Sequence, residues 1–263
     1  MQHLFAAWDR VRSILKDAEH ILLLSDYDGT LTPIVERPEM ANLSEDTRKV
    51  LRLLAKNPRY TVGIISGRAL ADLKSRVGLE GIVYAGNHGL EIEGIGSSYF
   101  DPVAEEVRPF LNLLSNVLSA TLRGIRGVFV ENKGLTLSVH YRAVDENEEE
   151  VVANTFRKVV EPLHTTGKIR VTQGKKVYEI RPPVDWDKGK AIMWLLEKCR
   201  QLKRKSDVLP VYLGDDLTDE DGFRAIEKNG GISILVCDEL RQSLARYFVT
   251  SPEEAVAFLK KLL

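Results

Sequence analysis

The hydrophobic positions of this 263-residue chain fall into short continuous runs, separated by segments with helical spacing. The runs are apolar at consecutive residues rather than at alternate ones, which is typical of parallel strands covered on both faces. The strand-like runs are 21–25, 60–66, 82–85, 208–213, 232–236 and 247–250, and the helix-like segments are 44–57, 69–77, 188–204, 218–228 and 252–262. This alternation predicts an α/β fold with a doubly wound parallel sheet and right-handed crossovers.

The alternation stops between residues 103 and 183. This stretch predicts, in order, a helix, two strands, a helix and two strands, at 103–122, 128–131, 135–142, 146–163, 169–172 and 176–181. Gly174-Lys175 is a plausible hairpin turn between the last two strands. Prolines lie at both ends of the stretch, where hinges between domains are common. The sequence therefore predicts an α+β (αββαββ) cap, 103–183, inserted into a catalytic core formed by 1–102 and 184–263.

Composition narrows the class of protein. The formal net charge is −1, so the chain has no basic balance with which to recruit nucleic acid. No apolar run approaches the roughly 20 residues that a membrane span requires, and the N-terminus has no signal-peptide core. The two cysteines, Cys199 and Cys237, have no metal or redox spacing. We expect a soluble cytoplasmic protein that binds neither nucleic acid nor membranes.

The first chemical motif follows the apolar run 21–25, where Asp26 and Asp28 lie two residues apart. Ligands bind at the carboxyl ends of strands in open α/β sheets. Two carboxyl groups this close can supply one ionised nucleophile and one group that carries a proton. Gly29 permits a sharp turn directly after the strand. The alternative is an ordinary Asp-Gly turn without chemistry.

Two further strand–helix junctions carry groups that suit a phosphate. Ser66 and Gly67 precede a helix and offer a hydroxyl and backbone N–H groups. Lys188 and Lys190 occupy the first turn of another helix, where the dipole disfavours cations, which suggests a role in neutralising phosphate. The alternatives are that Ser66 caps its helix, and that Asp187 caps the other while the lysines are solvated.

The last motif is an acidic cluster, 215–221, that follows the apolar run 208–213. Some of its acids fit a first helical turn, but Asp215 and Asp216 come too early for that. Hard oxygen ligands beside a phosphate suit Mg²⁺. Mg²⁺ held by Asp26 and Asp215, with Lys188 nearby, would cancel the repulsion between phosphate and Asp26. In that case Asp26 attacks phosphorus, and Asp28 protonates the leaving oxygen and then activates water.

Together these motifs resemble those of phosphatases of the haloacid dehalogenase (HAD) superfamily: DxDGT at 26–30, the strand-end Ser66, Lys188, and GDD followed by Asp219. The resemblance implies that Asp26 is the nucleophile and Asp28 the acid/base. It implies that Mg²⁺ is held by Asp26, Asp215 and the backbone carbonyl of Asp28. The supporting residues are then Thr30, Asp216 and Asp219, and the phosphate-binding residues are Ser66, Gly67, Arg68 and Lys188.

Other segments are similar to the trehalose-6-phosphate phosphatase family, and the similarity covers essentially the whole chain. They are 66–68, 86–91, 131–133, 139–142, 178–182 and 214–221 with Phe223. The family resemblance implies hydrolysis of trehalose 6-phosphate through an aspartyl-phosphate intermediate, as the last step of trehalose biosynthesis, with a separate trehalose-phosphate synthase acting upstream. It also implies that the sugar phosphate is bound by Asn87, His88, Glu131, Lys133, Arg142 and Glu179.

Several alternatives remain open at this stage. Glu131 and Lys133 share a face of a strand and could simply form cross-strand ion pairs, and His140 could be cap packing. A phosphatase for another sugar phosphate, such as sucrose phosphate or mannosyl-3-phosphoglycerate, uses the same core. A non-catalytic sugar-phosphate sensor is disfavoured because it needs no acid/base such as Asp28.

Overall fold

The computed structural model describes residues 1–35, 37–174, 176–204 and 207–263, so Lys175 of the predicted hairpin turn lies outside the described residues. The chain forms two compact units, one made of residues 1–99 and 186–263 and the other of residues 100–185. Among the described helices, none combines the length and hydrophobicity that a membrane span requires.

The secondary structure alternates through most of the chain. The strands are β1 (Gln2–His3), β2 (His20–Ser25), β3 (Tyr60–Ile65), β4 (Val83–Gly86), β5 (Glu91–Gly94), β6 (Ser97–Phe100), β7 (Phe129–Asn132), β8 (Leu137–His140), β9 (Arg170–Gly174), β10 (Val177–Arg181), β11 (Val208–Gly214), β12 (Ile232–Val236) and β13 (Tyr247–Val249). The helices are α1 (Trp8–Asp17), α2 (Glu45–Lys56), α3 (Leu70–Val77), α4 (Pro102–Leu122), α5 (Glu149–Thr165), α6 (Lys188–Lys203), α7 (Glu220–Lys228) and α8 (Pro252–Lys260).

The first unit is built on a sheet with the order β1-β13-β12-β11-β2-β3-β4-β5-β6. Strands β1 to β4 and β11 to β13 pair in parallel, and β5 pairs antiparallel to β4. The sequence did not predict β1, β5 and β6. They are two to four residues long, and β6 is largely exposed, so none of them produces a continuous apolar run.

Two hydrophobic cores lie on opposite faces of this sheet. Alternate residues of β2 enter different cores: Ile21 and Leu23 join the residues of α1, α2, α3 and α8, whereas Leu22 and Leu24 join those of α6 and α7. Because successive side chains of a strand point to opposite faces, a strand covered on both sides must be apolar throughout. The predicted doubly wound α/β fold is therefore confirmed.

The second unit is an α+β structure with its own core. Its sheet is antiparallel with the order β7-β8-β10-β9, and α4 and α5 supply core residues such as Leu118 and Phe156. Tyr178 of β10 stacks on Phe156 with ring centroids 4.5 Å apart. The predicted αββαββ order is confirmed. Strand β8 ends at His140, so the prediction that Arg142 lies on a strand is wrong; Arg142 is exposed in the following turn.

Candidate active site

The polar residues singled out in the first unit lie at the carboxyl ends of neighbouring strands. Strand β2 pairs with β11 on one side and with β3 on the other. Asp26 follows β2, Ser66 follows β3 and Asp215 follows β11. The N–H of Asp26 donates to the carbonyl of Leu213 at 2.8 Å, which ties the end of β2 to that of β11. The parallel sheet thus brings these segments together.

Lys188 is the centre of a buried ion-pair network. Its Nζ donates to Asp26 Oδ1 at 2.7 Å and to Asp219 Oδ1 at 2.6 Å. The three residues are 3%, 5% and 0% exposed, respectively. Asp187 does cap α6 by accepting the N–H of Lys190, but the alternative that Lys188 is merely solvated is wrong. Buried charges of this kind must be compensated locally, and here each carboxylate shares the same ammonium group.

Asp219 uses both of its carboxylate oxygens to hold the acidic loop, which is the segment 215–219 that follows β11. Oδ1 accepts from Lys188 and from the hydroxyl of Tyr212, and Oδ2 accepts the backbone N–H groups of Asp215 and Asp216 at 2.9 and 3.1 Å. Asp216 caps the short 3₁₀ turn Leu217–Asp219 by accepting the N–H and the hydroxyl of Thr218. Asp219 therefore supports the loop and has little capacity left for another ligand.

The loop after β2 packs directly against the loop after β11. Gly29 has φ +81°, and a Cβ atom built there would lie 2.2 Å from Oδ2 of Asp215. The hydroxyl of Thr30 donates to Oδ1 of Asp215 at 3.5 Å. Position 29 needs glycine both for its left-handed backbone and for space. This contact sets where the Asp215 carboxylate lies relative to Asp26.

Carboxylate oxygens of Asp26, Asp215 and Asp219 lie within 4.8 Å of one another. Burial raises the pKa of Asp26 well above its ordinary value; Lys188 opposes this shift, while Asp219, Asp215 and Asp216 add to it. Three acidic side chains, those of Asp215, Asp216 and Asp219, thus surround Asp26 together with the single ammonium group of Lys188. Hard carboxylate oxygens with an excess of negative charge fit a divalent cation such as Mg²⁺.

Asp28 makes a bidentate contact with Arg68. Nε and Nη2 of Arg68 each donate to the Asp28 carboxylate at 2.7 Å, and Nη1 donates to Asp72 at 2.8 Å. Nη2 also donates to the carbonyl of Pro38. Arg68 is buried, and the side chain of Asp28 is 40% exposed. Sequence reasoning missed this pairing, and the predicted contact between Arg68 and phosphate stays a prediction.

The loop after β4 supports the loop after β3. The N–H of His88 donates to the carbonyl of Ser66 at 2.9 Å, and that of Asn87 donates to the carbonyl of Arg68 at 2.7 Å. Asn87 and His88 both have left-handed backbones, with φ values of 48° and 58°. Strained positions of this type cluster at functional sites. Ser66 accepts the N–H of Arg68 and does not cap α3, whose N-cap residue is Ala69.

In the second unit, two carboxylates each contact a basic side chain. Oε2 of Glu131 lies 2.8 Å from Nε2 of His140. Glu179 lies 3.6 Å from Nζ of Lys133 and accepts from Arg181 at 2.7 Å. The Glu131–His140 contact joins β7 to β8, as the cross-strand alternative expects. Lys133, however, lies just after β7, and Glu179 lies on β10, which does not neighbour β7. The side chains of Lys133 and Glu179 are only 10% and 11% exposed, however, which is unlike a solvated sheet face.

A family model described as Trehalose-phosphatase matches residues 24–253. The chain belongs to the trehalose-phosphatase family. It is therefore a phosphatase that hydrolyses a phosphoric monoester, and the predicted family resemblance is confirmed.

Known proteins that are similar to this chain support the assignment to the trehalose-phosphatase family. "Probable trehalose-phosphate phosphatase D" of Arabidopsis thaliana is 38% identical over 255 residues, which cover 93% of this chain and 68% of that protein. The C-terminal domain of C. albicans trehalose-6-phosphate phosphatase superposes with a TM-score of 0.81 at 24% identity, covering 97% of this chain and 95% of that chain. A haloacid dehalogenase-like hydrolase from Bacteroides thetaiotaomicron superposes with a TM-score of 0.63 at 16% identity, covering 93% and 100%. These superpositions show the HAD fold.

Sequence reasoning missed other residues of this trehalose-phosphatase family member that contact the site residues. Tyr212 lies within an apolar strand and looks like a core residue, yet its hydroxyl donates to Asp219. His140 and Arg181 lie in the family-like segments 139–142 and 178–182, but the sequence predicted neither the contact of His140 with Glu131 nor that of Arg181 with Glu179. The strand pattern around His140 gave no signal of its contact with Glu131, because it does not report which residue of the neighbouring strand a side chain reaches.

Proposed function

We propose that this chain catalyses Mg²⁺-dependent hydrolysis of trehalose 6-phosphate to trehalose and phosphate through an aspartyl-phosphate intermediate. The observation that carries the proposal is the buried Lys188, which joins Asp26 to the acidic loop in a chain of the trehalose-phosphatase family. The substrate assignment is supported by relatives whose names specify trehalose-phosphate phosphatases. A non-catalytic sugar-phosphate sensor is disfavoured because it would have no need of an acid/base such as Asp28.

In the first half-reaction, a carboxylate oxygen of Asp26 attacks phosphorus and the bond from phosphorus to the sugar oxygen breaks. Lys188 lies 2.7 Å from Oδ1 of Asp26, so its ammonium group favours the ionised nucleophile and offsets the phosphate charge. The backbone contact of Asp26 with Leu213 fixes the start of the loop that carries it. The leaving sugar oxygen takes a proton from Asp28.

In the second half-reaction, water attacks the phosphorus of the aspartyl phosphate and transfers a proton to Asp28. Phosphate leaves, Asp26 is regenerated, and Asp28 again holds the proton it needs for the next cycle. Arg68 contacts the Asp28 carboxylate at two points, which fixes its position in the loop. In the proposed mechanism Asp28 acts as acid in the first step and as base in the second.

Mg²⁺ is the cation that best suits the oxygen-rich donor set. The ion would be held by Asp26, Asp215 and the backbone carbonyl of Asp28. The supporting residues are Thr30, which donates to Asp215, and Asp216 and Asp219, which hold the loop that carries Asp215. When bound, Mg²⁺ supplies charge neutralisation and polarises the phosphoryl oxygens. We propose that Ser66, Gly67 and Lys188 bind phosphate oxygens, with Arg68 nearby in the same loop.

A phosphate-release assay over a panel of sugar phosphates tests this function. We expect trehalose 6-phosphate to have the highest kcat/KM, activity to fall to background in EDTA, and added Mg²⁺ to restore it. Equal or faster release from sucrose phosphate or mannosyl-3-phosphoglycerate would favour the alternative substrates. Full activity in EDTA would contradict the metal requirement.

The proposed sugar-binding residues are those that the family resemblance implies, namely Asn87, His88, Glu131, Lys133, Arg142 and Glu179. The His140 and Arg181 contacts hold two of these carboxylates in place, as recognition of sugar hydroxyls requires. The cytoplasmic location and a separate upstream synthase stay predictions.

The substitution Glu131→Ala should impair trehalose 6-phosphate hydrolysis selectively. Loss of a hydrogen bond to a charged group costs about 1.5–3 kcal/mol, which corresponds to a fall in kcat/KM of roughly 10- to 150-fold. Hydrolysis of p-nitrophenyl phosphate, which lacks the sugar, should change less than about two-fold. Glu150→Ala, an exposed position on α5, is the matched control. Equal losses on both substrates would argue against sugar binding by Glu131.

A further inference from the structure

Arg241 contacts the acidic loop but belongs to none of the sequence motifs that surround Asp26, Ser66, Lys188 and Asp215. It lies in the irregular segment between β12 and β13. Its Nη2 donates to the backbone carbonyls of Asp215 and Asp216 at 3.2 and 3.0 Å. Two carbonyls of consecutive residues therefore converge on one guanidinium nitrogen. Nothing in the sequence motifs assigns a role to this arginine.

Arg241 is itself held in place by helix α7. Its Nη1 donates to Oε1 of Glu220 at 2.6 Å and to the carbonyl of Gln242 at 3.2 Å. The other oxygen of Glu220 accepts the N–H of Leu244 at 2.8 Å. The side chains of Arg241 and Glu220 are 29% and 18% exposed, so this pair is partly shielded from solvent. The guanidinium is thus fixed on both sides.

The loop is therefore held from two directions. Asp219 accepts the N–H groups of Asp215 and Asp216, and Arg241 binds the carbonyls of the same two residues. Fixing both the N–H and the C=O of a residue restricts its backbone dihedral angles and hence the direction of its side chain. The carboxylate of Asp215 has little room to adjust, because it already packs against Gly29.

We propose that Arg241 is a positioning residue for the metal site: it holds the backbone of Asp215 and Asp216 so that the Asp215 carboxylate is ready to bind a divalent cation. This inference rests on the proposed Mg²⁺ dependence. Arg241 makes no contact with the reacting groups itself. Outer partners of this kind typically change metal affinity by about 10- to 100-fold when they are removed.

A metal-binding titration of the full chain tests the proposal without relying on activity. Mn²⁺ is the probe, and its free concentration is followed by electron paramagnetic resonance. We expect Arg241→Gln to raise the Mn²⁺ dissociation constant about ten-fold. Arg224→Gln is the matched control, because Arg224 also pairs with an acid on α7, Asp221 at 2.7 Å, but is exposed. It should bind Mn²⁺ as the unsubstituted chain does.

Arg241→Lys separates geometry from charge. Lysine keeps the positive charge but lacks the fork that reaches two carbonyls and Glu220 together, so we expect its Mn²⁺ affinity to lie well below that of the unsubstituted chain. Wild-type affinity in Arg241→Lys would overturn the positioning role. This conservative variant also provides the measurement if Arg241→Gln does not fold.

Melting temperatures without metal complete the test. A purely structural role would lower the metal-free melting temperature of Arg241→Gln and leave its Mn²⁺ dissociation constant unchanged, and this result would overturn the proposal. If the unsubstituted chain binds no Mn²⁺, the proposed metal requirement fails and this inference fails with it. If the unsubstituted chain binds Mn²⁺ and Arg241→Gln binds it equally well, only the inference about Arg241 fails.

Discussion

Asp26→Asn is expected to lower kcat for trehalose 6-phosphate by at least about 10⁴-fold, the scale of loss that follows removal of an enzyme's nucleophile. Asparagine has nearly the same shape and can still accept a hydrogen bond from Lys188, but its amide does not attack phosphorus. The fold and the neighbouring loops should therefore survive. Single-turnover phosphate release in the presence of Mg²⁺ measures the effect.

Two comparisons make the Asp26 result specific. Asp17→Asn, an isosteric change at an exposed position at the end of α1, should leave kcat unchanged. In a reaction with trehalose 6-phosphate labelled in its phosphate group, the unsubstituted protein should carry labelled acyl phosphate after an acid quench. The Asp26→Asn protein should carry none. Turnover within ten-fold of the unsubstituted chain would exclude Asp26 as the nucleophile.

Lys188→Met is expected to reduce the free energy of unfolding by about 3–5 kcal/mol as well as activity. The reason is that Asp26 and Asp219 are buried and both contact the same ammonium group. Methionine replaces the aliphatic part of the lysine side chain but leaves two carboxylates without their cation. Urea unfolding of metal-free protein measures the change.

Lys190→Met is the control for this experiment, since it removes a lysine from the same turn of α6 at a position that is only partly buried. Its free energy of unfolding should change by less than about 1 kcal/mol, as is usual for charges near the surface. Similar losses in the two variants would show that burial of Lys188 does not govern the effect.

A strand could be predicted from the sequence where its own residues form a recognisable hydrophobic pattern. Strand β2 was predicted nearly to its ends, because the two cores require an unbroken apolar run. Strand β6 was not, because its exposed residues show no such pattern. The extent of β8 was overestimated because Tyr141 is buried beyond the strand's end and continues the apolar pattern.

The residues of the candidate site likewise fall into those that the sequence predicts and those that it does not. Asp26, Ser66, Lys188 and Asp215 follow or precede strong strand and helix signals, so their convergence could be inferred from the parallel sheet. The pairs Asp28–Arg68 and Arg241–Glu220 join distant segments, and no local pattern reports which side chain an arginine will reach. These contacts form only when the chain is packed, so the three-dimensional structure was needed to find them.

The close approach of Gly29 to Asp215 has a consequence for substitutions at this junction. The side chain of one loop fills the space that any other residue at position 29 would occupy. The segment that carries Asp26 and Asp28 and the segment that carries Asp215 are therefore interlocked, and a larger residue at position 29 needs a matching change at position 215.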